Sequence, residues 1–146
     1  MMAERARAVG FPFDYRGEGA SPPAMLWNTF DAHKLLRWAL ETHGAEAQTR
    51  LKIALFAAHF QRRRNIADRA VLLDVAEGQG FDRAAAEAAL DDSAIAVAVR
   101  AEERRAFDHN VNGVPAMVID GQFLVPGAQE PETYVNVLRK VIARRG

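Results

Sequence analysis

The sequence predicts an α/β chain that is mostly helical, with one β-hairpin near its end and a closing helix behind it. Three observations predict this. Apolar residues recur at helical spacing from Ala32 to about Ala106. At Asn112 the period changes to that of strands, where AMVI and FLV flank the turn residues DGQ. Beyond Pro131 the helical period returns.

The elements follow in order. MMAERARAV reads as the end of a helix stopped by Gly10, and GFPFDYRGEGASPPAM as an extended Gly- and Pro-rich linker. Asn28 or Thr29 can cap the next helix, with Asp31 near its positive end. Ala32, Leu35, Leu36, Ala39 and Leu40 form its stripe, and Gly44 supplies a stop. A second helix covers about Ala45 to Arg62. Leu51, Ala54, Leu55 and Ala58 make one apolar stripe, with Ile53, Phe56 and Phe60 beside it, a breadth that predicts contacts on two sides. Asp68 caps a third helix carrying Leu72, Val75 and Ala76, which ends near Gly78 and Gly80. Asp82 starts a short fourth helix. Ser93 is the expected cap of a fifth, with Ile95, Val99 and Ala106 inward and Glu102 to Arg105 in water. Asp120-Gly121 is a hairpin turn signal, because glycine takes positive φ without penalty. Pro131 suits the first turn of the last helix, whose Tyr134, Leu138, Val141 and Ile142 share a face.

Composition narrows the function. One domain is the default for 146 residues, and a 49% hydrophobic content can fill a core. Lys plus Arg and Asp plus Glu are 19 each, a net charge of +0, which argues against nucleic acid as a partner. The count Cys 0 rules out disulfides, thiolate nucleophiles and cysteine metal sites built from this chain. The opening residues lack a signal-peptide apolar run, and no window approaches a membrane span, so a soluble cytoplasmic protein without a membrane partner is expected.

Few residues present a site pattern. His33, His43, His59 and His109 show no metal-ligand spacing, so no metal or cofactor is expected, although His33 and His59 sit beside apolar positions. QRRRN, at Gln61 to Asn65, reads as a basic run that complements a helix C-terminus and faces solvent. Asp91-Asp92 and Glu102-Glu103 are helix neighbours that point apart, Ser21 lies in the linker, and Ser93 serves a cap. No catalytic residue is assigned. The Val114-Pro115 step differs. Led in by Gly113 and placed before a strand, it is compatible with a cis bond and with backbone groups that pair an added peptide strand. By spacing alone an ordinary trans turn is the favoured account.

GFPFDY, NTFDAHKLLRWA and NGVPAMVIDGQFLVPGAQEPETY together resemble the DsbA-like thioredoxin family, in its cytoplasmic FrnE-type branch. The resemblance implies an incomplete thioredoxin-like fold, a β-hairpin plus C-terminal helix, with an α-helical insertion domain. It divides the chain into a helix remnant and linker at 1–27, the insertion at 28–107, and the thioredoxin-like hairpin and helix at 108–146. It makes Val114 and Pro115 the substrate-binding cis-proline loop, with a peptide or protein substrate as partner. The family's first strand, its C-x-x-C helix and its next strand are expected before Met1, so the chain reads as truncated.

Thiol–disulfide exchange needs an attacking thiolate, so a redox-inactive DsbA-like protein is the expectation. The alternatives are a fragment of a glutathione-dependent 2-hydroxychromene-2-carboxylate isomerase or kappa-class transferase-like enzyme, and a helical assembly protein. A two-stranded ribbon is marginal alone, and its apolar edge invites another strand. A homodimer through the hairpin edge is therefore expected as well.

Overall fold

The computed structural model describes Glu4, Ala8, Gly10 and residues 14–145. The expected helix over 1–9 lies for the most part outside the described residues. Residues 14–29 form no helix or strand, in keeping with their Gly and Pro content. The chain divides into two compact units, Met1–Val99 and Arg100–Gly146.

The first unit is helical. Helix α1 spans Phe30–Phe56, and its entry is fixed by Asn28, whose Oδ1 accepts the Phe30 N–H at 2.8 Å, while Thr29 makes no side-chain cap. Gly44 interrupts it with φ 88° and ψ 174°, so α1 is two helical segments meeting where the sequence places a stop. A π-helical turn, Ala57–Gln61, follows directly. Helices α2 (Arg69–Gly78) and α3 (Arg83–Asp91) and the part of α4 (Ser93–Asp108) up to Val99 complete the run.

Each of these helices starts on a carboxylate. Asp68 accepts from Ala70 N–H at 2.8 Å, and Asp82 from Ala85 N–H at 2.7 Å. The expected Ser93 cap is corrected to Asp92. Its Oδ1 accepts from Ala94 N–H at 2.7 Å and Ile95 N–H at 3.4 Å. The reason is geometric: Asp92 has extended backbone (φ −73°, ψ 115°) where α3 ends, the conformation a capping residue needs, whereas Ser93 is already inside α4.

One hydrophobic cluster holds this unit together. Leu35, Leu51 and Leu72 are its largest fully buried side chains, and Trp38, Leu55, Phe81 and Leu90 pack around them. Among the described residues Lys34 is the buried charge. Its ammonium pairs with Asp31 at 2.8 Å and donates to the Leu90 carbonyl at the end of α3, so its charge is compensated. Arg69 binds both oxygens of Asp91 at 2.7 and 2.6 Å, tying the start of α2 to the end of α3. Arg64 and Arg83 share Asp74, and Arg83 also reaches Glu77.

Three burial expectations are corrected. Ile53 and Phe56 are 62% and 46% exposed, so the second half of α1 packs on one side only. Ala106, near the end of α4, is exposed. In the last helix Val141 is buried, but Leu138 and Ile142 are exposed; Val137, one turn before Val141, lines the inner face instead.

The second unit contains the hairpin. Strands β1 (Ala116–Ile119) and β2 (Phe123–Pro126) pair antiparallel, from Ala116 opposite Pro126 to Ile119 opposite Phe123. Asp120 and Gly121 both adopt positive φ (56° and 67°), and Gln122 N–H closes the turn on the Ile119 carbonyl at 3.1 Å. Positive φ at both positions matches the right-handed twist of the strands. Helix α5 (Pro131–Arg145) follows.

Candidate functional site

Val114 and Pro115 lie immediately before β1. Their peptide bond is cis, and Val114 is 90% exposed. The Pro115 carbonyl accepts from Gly127 N–H at 2.8 Å, which extends the ladder one step past Ala116 and Pro126. Gly127 takes φ 70° there, and the loop behind it is pinned by Tyr134. The Tyr134 hydroxyl accepts from Gln129 N–H at 3.2 Å and donates to the Gly127 carbonyl at 3.4 Å, while Gln129 Nε2 donates to the Pro126 carbonyl at 2.7 Å. GAQ and the tyrosine five residues on thus hold the strand facing Pro115.

This register decides which backbone groups are available. Opposed residues in an antiparallel pair alternate between hydrogen-bonded and non-hydrogen-bonded. Because Pro115 bonds across to Gly127, Met117 and Ile119 also face β2, and the N–H and C=O groups of Ala116 and Val118 point the other way. Among the described residues no hydrogen bond outside the β1–β2 ladder reaches Ala116 or Val118. The outer edge of β2 is less receptive: Pro126 has no N–H to give. The open edge of this hairpin is therefore β1, the edge that Val114 leads into. Under β2 and α5 lies a cavity of about 370 Å³ reached by Phe123, Val125, Val137 and Val141, with Arg144 stacked 5.4 Å from the Phe123 ring.

The histidines are distributed over both units. His43 makes edge contacts with Trp38 at 5.3 Å and Phe81 at 5.1 Å, a packing role. His33 and His59 line one cavity of the helical unit, a proximity that their sequence separation conceals. Burial holds His59 below its ordinary pKa of 6.5, with the nearby Arg63 guanidinium adding to the effect. The reading of QRRRN as a solvent-facing run is corrected. Arg62 is exposed, but Arg64 pairs with Asp74 at 2.8 Å, and Arg63 is half-buried at φ 54°. The turn that follows the π-helix draws Arg63 inward and sets Arg64 against Asp74 at the surface, which helical periodicity could not indicate. Among the described residues no group of three or more His, Cys, Asp or Glu side chains could hold a metal ion. No described helix is long and apolar enough to cross a membrane.

A helical body encoded ahead of a Pro-led hairpin, a pinned GAQ loop and a closing helix defines a thioredoxin-type protein with a helical insertion. The chain belongs to the DSBA-like thioredoxin domain family, whose model matches residues 2–139. Among solved structures it is similar to a probable DsbA oxidoreductase from Streptomyces coelicolor, with 31% identity and a TM-score of 0.82. The similarity covers 99% of this chain and 59% of that one, so this chain spans less than two thirds of that relative's length. No curated protein matches the sequence.

Proposed function

We propose that this chain is the substrate-holding part of a FrnE-type, DsbA-like protein: it binds extended peptide at Val114, Pro115 and the β1 edge, and performs no thiol chemistry with its own residues. The observation that carries the reading is the outward backbone of Ala116 and Val118 beside an exposed Val114. An extended peptide can add there as a strand, gaining main-chain hydrogen bonds for affinity and side-chain contacts at alternate positions for specificity. Cys 0 supports the second half, since no other side chain of the chain replaces a thiolate in disulfide exchange.

Amide resonances of the full chain, followed during titration with an unfolded, cysteine-free peptide, test the binding. Saturable shifts at Val114, Ala116 and Val118 are expected. Shifts confined to other segments, or none at millimolar peptide, would contradict it. In a dithiol-driven insulin reduction assay the chain should not exceed the buffer control.

A second reading is favoured by the apolar exposure within the same unit. Met117, Val118, Val135, Leu138 and Ile142 are 45%, 37%, 43%, 44% and 69% exposed. Exposed apolar side chains next to an open strand edge suit pairing of two hairpins about a two-fold axis. Light scattering would show a dimer mass at micromolar concentration; a monomer mass that persists as concentration rises contradicts this reading and leaves the peptide one intact.

A further inference from the structure

The helical unit contains a second, separate cavity. It measures about 220 Å³ and is walled by Trp27, Leu36, Leu55, Phe56, Phe60 and Ile66. An apolar cavity of roughly 150 Å³ is enough to take up benzene, so this one has room for a substituted ring or a short acyl chain. Leu26, 97% exposed, stands at its rim, so the cavity is reached from solvent.

Four features lie in its wall or beside the wall at His59. The backbone leaves α-helical geometry at the π-helical turn Ala57–Gln61, which carries both His59 and Phe60 into the wall. Such turns are uncommon and recur at functional sites. Two residues beyond, Arg63 takes φ 54°, a conformation that L side chains other than Asn and Asp seldom adopt. His59 Nδ1 and Arg63 Nε are buried atoms without a hydrogen-bond partner among the described residues. Buried polar atoms in folded proteins are nearly always paired, so two neighbouring exceptions point to a partner outside the protein. Finally, the ionisable side chains in the lining are His33, Lys52 and His59, with no carboxylate among them. Among the described residues that line it, the polar end of the cavity offers donors and positive charge and no carboxylate.

We infer that this cavity is a binding site for a small apolar carboxylate, its ring or chain held among Trp27, Leu36, Phe56 and Phe60 and its carboxylate received by His59 of the lining, with the Arg63 guanidinium, which lies outside the lining but close enough to act on His59, as second partner. An Arg guanidinium gives charge-assisted hydrogen bonds that a neutral ligand cannot match. His59 fits this role because its buried Nδ1 has no partner among the described residues and can carry an N–H for the carboxylate. An anion beside Arg63 would also offset the cationic field that now helps to depress its pKa. The inference stands apart from the hairpin reading, because the residues belong to the other unit and either can fail alone.

The chain has two tryptophans, and only Trp27 lines this cavity; Trp38 lies in the core and lines a different groove. Their indole N–H resonances therefore serve as probe and internal control. Titration of the full chain with 4-ethylbenzoate and with octanoate is expected to shift the Trp27 signal saturably while Trp38 stays in place. The neutral counterpart, 4-ethylbenzyl alcohol, should bind about tenfold more weakly, the value of one hydrogen-bonded charge. Arg63→Gln should bring the acid down to the affinity of the alcohol and leave the alcohol unchanged. The acid–alcohol comparison on the unaltered chain needs no variant to fold. Equal binding of acid and alcohol, shifts at Trp38 in place of Trp27, no saturation by either acid at millimolar concentration, or a folded Arg63→Gln chain with undiminished acid affinity would each overturn the proposal.

Discussion

The two units of this chain are stabilised in different ways. In Met1–Val99 a single cluster of buried side chains runs from Ala32 to Val99, and helices α2, α3 and α4 each begin on an aspartate cap. In Arg100–Gly146 the buried hydrophobic residues among those described are Val125 and Val141. The hairpin has sound local chemistry, with a turn at Asp120-Gly121 and a loop pinned by Tyr134, yet little apolar surface is removed from water. A two-stranded ribbon is marginal by itself and depends on packing against a helix, and here that packing buries few side chains. The comparison teaches that local signals and packing are separable. The helical unit has both. The hairpin unit has the first, and its open edge and exposed apolar side chains are the features that binding would complete.

Core deletion should separate the units most strongly. Leu72→Ala removes a fully buried side chain and is expected to cost about 2–5 kcal/mol in urea unfolding followed residue by residue. Val141→Ala acts where packing is thinner and should cost about 1 kcal/mol or less. Equal costs would break the distinction.

Cap removal sharpens it at a smaller scale. Asp92→Ala should cost about 1 kcal/mol, because two N–H groups at the start of α4 lose their acceptor. Ser93→Ala should change stability by only a few tenths, within the range of surface substitutions. The reverse order would restore Ser93 as the cap.

What the sequence disclosed follows the same division. Gly44, Asp68, Asp82 and Asp120-Gly121 were legible because each acts on its own backbone within a few residues. The cis bond at Val114-Pro115 was expected through the family resemblance alone, since spacing favoured a trans turn. Ser93 was misplaced by one position because two capping residue types stand side by side, and only backbone geometry chooses between them. The π-helical turn, the left-handed Arg63 and the meeting of His33 with His59 left no periodic trace. They arise when the end of α1 packs against residues far from it in sequence, so tertiary geometry alone reveals them.

Acidification should have the smallest effect, and it should fall on the helical unit. The Arg83 hydrogen bond, then that of Arg64, holds Asp74 below its ordinary pKa of 3.8, and the Arg69 hydrogen bond does the same for Asp91. A carboxylate whose folded pKa is depressed contributes stability that is present above its unfolded value and lost as pH falls through the folded one. Thermal melts should therefore be steady with respect to these groups above about pH 5 and decline below about pH 4. Asp74→Asn should flatten that decline. Because these ion pairs face solvent, added salt should weaken it too.

Native-state hydrogen exchange of the full chain tests the central claim most directly, since amides report opening one residue at a time. The account predicts slow exchange, near the global unfolding limit, for amides around Leu35, Leu51 and Leu72. It predicts fast, locally opened exchange for the β1–β2 ladder, which slows when a peptide or a second copy occupies the β1 edge. Uniform protection across both units, unaltered by peptide or protein concentration, would contradict it.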